Sequence, residues 1–172
     1  MPSSIFLPGT TNTIYNAQPG TTTLADTNYA GALFSPIDPS VFAKNGDAIC
    51  VEYAFTTDGS GGSKTYRLNI GYTSFAADAT GFTGGTTVLN NSTTTASVTY
   101  QGRVWIRRIS AGNYEGWALT AVGTSLQASA YQTFTLTDTS PINIGMAVRD
   151  AGSNAGSITL KDVAILSVPM AA

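Results

Sequence analysis

The sequence predicts an all-β protein: a single jelly-roll-like β-sandwich of about eight antiparallel strands, preceded by an extended N-terminal arm. Three observations carry this. Apolar residues alternate with small or polar ones in separate runs, as in Ile49, Val51, Tyr53 and Phe55, then Tyr66, Leu68, Ile70 and Tyr72, then Ile142, Ile144, Met146 and Val148. Period-two alternation marks strands with one buried face. The runs are short and punctuated by glycine- and asparagine-rich turns, and none keeps a helical period. Charged residues are only 10% of the chain, with Gly, Thr, Ser and Ala filling their place, a profile that suits many strands and turns.

In chain order, residues 1–30 are rich in Thr, Asn, Pro and Gly yet hold Ile5, Phe6, Leu7, Ile14, Tyr15 and Leu24. So many large apolar groups do not suit a merely disordered tail. Two readings stand side by side: an arm that orders against a partner, or an edge strand folded back on its own domain. The sandwich is expected over residues 31–172. A short strand over 33–37 is stopped by Pro36 and Pro39. Residues 47–56 and 64–72 are expected to pair as a hairpin about the glycine-rich turn 58–63. A loop of small residues follows over 75–91, with a turn at Gly84-Gly85 before a short strand over 86–89. The run 95–109 reads as a long strand or a pair of strands broken near Gly102, and 113–123 returns after the turn at Ala111-Gly112-Asn113. Residues 131–137 and 142–148 alternate again. In the last strand Ile158 and Leu160 share one phase and Val163 and Ile165 the other, so a bulge near Lys161-Asp162 is expected. The expected core comprises Ile49, Val51, Tyr53, Phe55, Tyr66, Leu68, Ile70, Val104, Ile106, Phe134, Leu136, Ile144, Met146, Val148, Ile158 and Leu160.

Composition narrows function. The net charge of −2 offers no basic stripe for nucleic acid or acidic membrane. No segment is long enough to span a bilayer, and the first residues lack the basic region of a secretory signal. With no histidine, histidine-based triads, metal sites and pH switches are excluded. Cys50 is the only cysteine, so no intrachain disulfide forms, and it reads as a structural thiol. Neither a catalytic residue, a metal site nor a cofactor is expected.

Individual motifs add little chemistry. Ser63-Lys64-Thr65 lacks the glycine before the lysine and the helix after it that a phosphate loop needs. Asp150-Ala151-Gly152-Ser153-Asn154 has too few carboxylates for calcium and reads as a hairpin turn. Glu52 and Glu115 are the only glutamates, and nothing pairs them as a hydrolytic couple. Asn90-Asn91-Ser92-Thr93 contains overlapping glycosylation sequons and reads as a polar loop. The aromatic segment 100–117, which gathers Tyr100, Trp105, Tyr114 and Trp117, is more informative. Val104 and Ile106 share one face of their strand, and Arg103, Trp105 and Arg107 the other. A tryptophan between two arginines suits a subunit or partner contact, while a core position or a platform for a sugar stay open.

Taken together, Ser35-Pro36-Ile37, Asn45-Gly46-Asp47, Lys64-Thr65 through Ile70-Gly71, Gly102 through Arg108, and Ser157-Ile158-Thr159-Leu160-Lys161 follow a recognisable order and spacing. Over residues 30–168 the chain resembles a jelly-roll domain common in structural proteins of tailed bacteriophages. The resemblance implies a virion structural protein, assembled in the host cytoplasm and placed on the capsid surface. The expected function is capsid decoration (a cement protein), binding the major capsid protein as a homotrimer. Ile5, Phe6, Leu7, Ile14 and Tyr15 would anchor it, with Arg103, Trp105 and Arg107 near a subunit contact. The alternatives are a head- or tail-fibre component that recognises a host surface glycan, and a carbohydrate-binding module. The resemblance supplies no catalytic residue.

Overall fold

The structure, a computed structural model, describes residues 12–24, 26–34, 36–60, 62–122, 125–128 and 131–169. Ile5, Phe6 and Leu7 lie outside the described residues, as does Ser35 of the first resemblance motif. The strands are β1 (Asn12–Ala17), β2 (Ala30–Leu33), β3 (Ala48–Thr57), β4 (Lys64–Ile70), β5 (Ser74–Phe75), β6 (Phe82–Thr83), β7 (Thr86–Thr93), β8 (Thr99–Ser110), β9 (Asn113–Val122), β10 (Ser125–Ala128), β11 (Gln132–Thr135), β12 (Ile144–Asp150) and β13 (Ile158–Val168). The helical content among the described residues is one 3-10 turn, Pro39–Phe42, capped by the Asp38 carboxylate on Ser40 N.

The fold is an all-β antiparallel sandwich. One sheet runs β1-β13-β3-β8-β9-β10, with β11 also on β9; the other runs β2-β12-β4-β7. Their inner faces bury Ile49, Val51, Phe55, Leu68, Ile70, Val104, Ile106, Ile144, Met146, Val148, Ile158 and Leu160 as one core. At its centre the Phe55 ring stacks on Tyr100 at 4.6 Å and meets Tyr66 of the opposite sheet at 4.5 Å. Of the expected core residues only Phe134 is half-buried, because β11 sits at the margin of its sheet and packs against the core from the side. The expected bulge is present: the β13–β3 register slips between Leu160 and Asp162, which returns Val163 and Ile165 to the core face.

Several expectations are corrected. β3 and β4 do not form a hairpin; they lie in different sheets, and the turn 58–63 crosses between them. β3 takes β13 and β8 as partners, so Phe55 and Tyr66 face each other across the core instead of lying side by side. The turn Asp150–Asn154 likewise carries the chain from β12 in one sheet to β13 in the other. The strand expected over 33–37 lies earlier, at Ala30–Leu33; beyond it Ile37 makes an isolated bridge to Ile142. β7 is longer than expected and takes Asn90, Asn91 and Ser92 out of a loop and into an edge strand paired with β4.

Residues 12–17 are also not a free arm. They pair with β13 as the edge of the larger sheet, and the Tyr15 ring packs 4.9 Å from Phe34. Tyr15 therefore belongs to the margin of the core, while Ile14 remains 36% exposed. Thr23, 2% exposed, is bonded through its hydroxyl to Ser157 and Asn154, tying residues beyond β1 to the sandwich as well.

Strand β8 is not broken at Gly102. A Cβ there would lie 2.3 Å from the Tyr53 hydroxyl, which shares a 2.6 Å hydrogen bond with Thr120 inside the core. The glycine makes room for a ring from the next strand rather than interrupting pairing. Gly102→Ala is therefore expected to destabilise the fold by about 1–3 kcal/mol through overpacking, measured by chemical denaturation. A change within experimental error would show that the Tyr53 ring moves freely.

Candidate functional site

The outer face of the seven-stranded sheet carries the polar and aromatic residues singled out by alternation. Register places them in rows across the strands. Ala48, Arg107 and Glu115 form one row, and Cys50, Trp105 and Trp117 the next. Ala164, Glu52, Arg103 and Leu119 form a third; Ala54, Gln101, Ala121 and Leu126 a fourth. Inward neighbours Val104 and Ile106 are fully buried, which leaves Arg103, Trp105 and Arg107 on the outside.

The Trp105 and Trp117 indoles face each other directly across β8 and β9, stacked with 6.0 Å between centroids and 9° between planes. Both are half-buried. Such a cross-strand aromatic pair stiffens the sheet and presents a flat apolar ridge. An ion pair stands on either side. Arg103 Nε meets Glu52 Oε1 at 2.8 Å with both side chains well exposed, so water screens it and it contributes little to stability. Arg107 pairs with Glu115, whose carboxylate also accepts the Tyr131 hydroxyl. The Glu115 side chain is only 6% exposed, so this second cluster is the more rigid. Its hydrogen bond raises the Tyr131 phenol above its ordinary pKa.

Beside the ridge runs a groove of about 490 Å³, lined by Asn16, Glu52, Gln101, Arg103, Leu119 and Leu126 among others. Its cause is visible in the rows: Ala54, Ala121 and Ala164 point outward where bulkier residues would fill the surface. The groove crosses the strands from β1 to β10. Leu119 and Leu126, 38% and 68% exposed, give one end an apolar wall.

Cys50 is buried in the tryptophan row, and desolvation, aided by Glu52 and opposed by Arg103, pushes its thiol up to about 12, so it stays protonated at neutral pH. Glu52 and Glu115 serve separate arginines in different rows. The described residues contain no group of three or more histidine, cysteine, aspartate or glutamate side chains able to hold a metal, and no helix among them is long and apolar enough to cross a membrane.

Sequence reasoning reached Arg103, Trp105 and Arg107, and named Trp117 in the aromatic segment without its face, but missed Leu119, Leu126 and the alanine row. In β9 the usual signal is inverted. The inward positions 116, 118 and 120 are Gly, Ala and Thr, while the outward positions 117, 119 and 121 are Trp, Leu and Ala. Over 116–121 alternation would assign the phase backwards, while the inward Tyr114 and Val122 at the ends of the strand keep the usual signal.

No protein-family model matches the chain, and no curated protein matches it. Among solved structures it is similar to the CBM2 module of the evolved Dit protein of Lactobacillus casei BL23 phage J-1, with TM-score 0.42 and 9% identity over 95% of this chain and 82% of that one. It is also similar to the alginate lyase Aly36B, solved as a mutant with alginate trisaccharide, with TM-score 0.42 and 11% identity over 87% and 79% of the two chains. A third is infectious bursal disease virus, Gx strain, with TM-score 0.32 and 11% identity over 93% of this chain and 33% of that one. No residue role is taken from any of them.

Proposed function

We propose that this chain is a structural component of a bacteriophage virion, a capsid decoration protein that binds the major capsid protein as a homotrimer and acts by binding rather than catalysis. The observation that carries the reading is the outer face of the larger sheet. It is a rigid, half-exposed apolar ridge with exposed leucines beside it, held between ion pairs and without assembled reactive groups. Exposed apolar surface of this kind suits a face that is covered in use. The ordered motifs over residues 30–168 support the virion setting. In this reading Arg103, Trp105 and Arg107 lie at the subunit contact, and residues before β1, with Ile5, Phe6 and Leu7, hold the capsid together with the exposed Ile14.

Burying a few such side chains contributes about 1.5–3 kcal/mol each before ordering costs. Fixing an arm costs about 1–2 kcal/mol per residue, so one arm alone binds weakly. Three arms on one trimer raise the effective concentration of each later contact and can multiply affinity by roughly 10²–10⁴. The test is to delete residues 1–11, which leaves β1 and its pairing with β13 in place. The truncated protein is expected to fold and self-associate normally while its decoration of bare capsids falls sharply. Decoration as strong as that of the full chain would remove the anchoring role. Deleting residues 1–30 is a poorer test, since it also strips β1 and the Thr23 contacts.

A second reading is favoured by one observation, the groove beside the tryptophan ridge. Its mixture of amide, carboxylate, guanidinium and leucine side chains suits a glycan, as a fibre component or carbohydrate-binding module would require. Saturable quenching of tryptophan fluorescence by a soluble polysaccharide, lost in Gln101→Ala, is its expected signature.

A further inference from the structure

The chain has five arginines, and their partners divide them. Arg103, Arg107 and Arg108 form ion pairs with Glu52, Glu115 and Asp138. The remaining two, Arg67 and Arg149, converge on one tyrosine on the outer face of the four-stranded sheet. Arg67 is opposite Ala147, and Arg149 opposite Thr65, so the two are diagonal neighbours on adjacent strands and share a face. The Arg67 guanidinium carbon lies 3.8 Å from the Tyr29 ring centroid and that of Arg149 4.7 Å from it. Arg67 also lies 5.6 Å from the Phe82 ring and donates to the Thr80 carbonyl.

The surroundings hold these cations in place without neutralising them. The hairpin β5–β6 folds over this face, with Phe75 against Gly31 and Phe82 against Gly145, and Tyr29 is buried beneath it. Arg67 and Arg149 belong to none of the ion pairs seen among the described residues, which join Arg103 to Glu52, Arg107 to Glu115 and Arg108 to Asp138. The Nε atoms of Arg67 and Arg149, like that of Arg108, are buried without a hydrogen-bond acceptor among the described residues, but only Arg108 has a carboxylate beside it. Burial lowers the Arg67 pKa; Tyr29 opposes that shift and the Arg149 charge adds to it. Two like charges brought together, preorganised by one aromatic ring and left with open donor capacity, form an arrangement that an anion would stabilise.

We propose that Arg67 and Arg149 form a binding site for an oxyanion, a sulfate, phosphate or carboxylate group carried by a partner molecule. Asn90, opposite Arg67, and Ser92, opposite Thr65, lie on the next strand and extend the polar face around it. The site is on the opposite side of the sandwich from the tryptophan ridge and does not depend on the virion reading.

The test is a titration of the intact protein with sodium sulfate, and separately with sodium acetate, against sodium chloride at matched ionic strength. It is read on the arginine Nε–H resonances by NMR and on the thermal midpoint. The Arg67 and Arg149 resonances are expected to shift together and saturate, with the thermal midpoint rising in step. In Arg149→Gln the affinity is expected to fall about tenfold or more, the loss of a charge-assisted contact. The ion that binds tighter identifies the source, tetrahedral dianion or carboxylate. If neither ion produces a saturable shift in the wild-type protein, or if sulfate binds Arg149→Gln as tightly as wild type, the site is refuted. The wild-type titration decides this even should the variant fold poorly.

Discussion

Asp150→Ala is expected to destabilise the sandwich by about 2–4 kcal/mol, since each buried donor left unsatisfied costs about 1–3 kcal/mol. Asp150 and Lys64 oppose each other where β12 and β4 end, and both are fully buried. Lys64 Nζ donates to the Ser60 carbonyl at 2.6 Å, bracing the crossing turn 58–63. The Asp150 carboxylate accepts Gly152 N at 2.6 Å and Asn154 Nδ2 at 3.3 Å, bracing the other crossing turn. Losing the carboxylate frees the turn donors and removes a favourable charge near the buried Lys64. Urea denaturation measures the effect, and a loss below about 1 kcal/mol would contradict it.

The same group sets an acid dependence. Burial alone would raise the Asp150 pKa, but hydrogen bonds from Ser157, Gly152 and Asn154 and the nearby Lys64 charge outweigh it and hold it below the ordinary carboxylate value. A depressed folded-state pKa contributes stability that is present above the unfolded value, about 3.9, and is lost as pH falls through the folded value. Wild-type stability should therefore decline below about pH 4, and Asp150→Asn should flatten that decline.

Trp105→Ala is expected to weaken self-association by at least about 2 kcal/mol, roughly thirtyfold in dissociation constant, as for a central aromatic at an interface. The substitution removes one indole of the stack and leaves Trp117 without its partner across the strands. Because the side chain lies outside the core, the monomer's own stability should change much less than the association does. Arg103→Ala should have a small effect, since its ion pair with Glu52 is exposed. Sedimentation equilibrium measures both. A wild-type protein that stays strictly monomeric at high concentration would overturn the assigned contact.

How much of the site was legible depended on the strand. In β8 the inward residues Tyr100, Val104 and Ile106 are large and apolar, and the outward ones carry charge, so alternation placed Arg103, Trp105 and Arg107 on the outer face. Between 116 and 120 the inward side chains of β9 are small because Val88 and Phe134 crowd Gly116 and the Tyr53 hydroxyl meets Thr120, so alternation there concealed Leu119 and the outward face of Trp117. The Arg67–Arg149 pair was invisible for another reason. Eighty-two positions separate its members in the chain, and only the β4–β12 pairing makes them neighbours.

By itself the sequence determined that this chain is built of strands, which residues of most strands face inward, and where the bulge in β13 must fall. These are local matters, set by a side-chain period of two and by whether each side chain gains from leaving water. Only the tertiary structure decided which strand lies beside which. The runs about residues 58–63 have the alternation of a hairpin, yet β3 and β4 stand in opposite sheets, and residues 12–17 close an edge rather than reach away. An alternating strand can satisfy its buried face equally well beside its sequence neighbour or across the core from it. The choice is made by the whole set of partners, since β13 and β8 claim both edges of β3 and leave Phe55 to pack against Tyr66 from above.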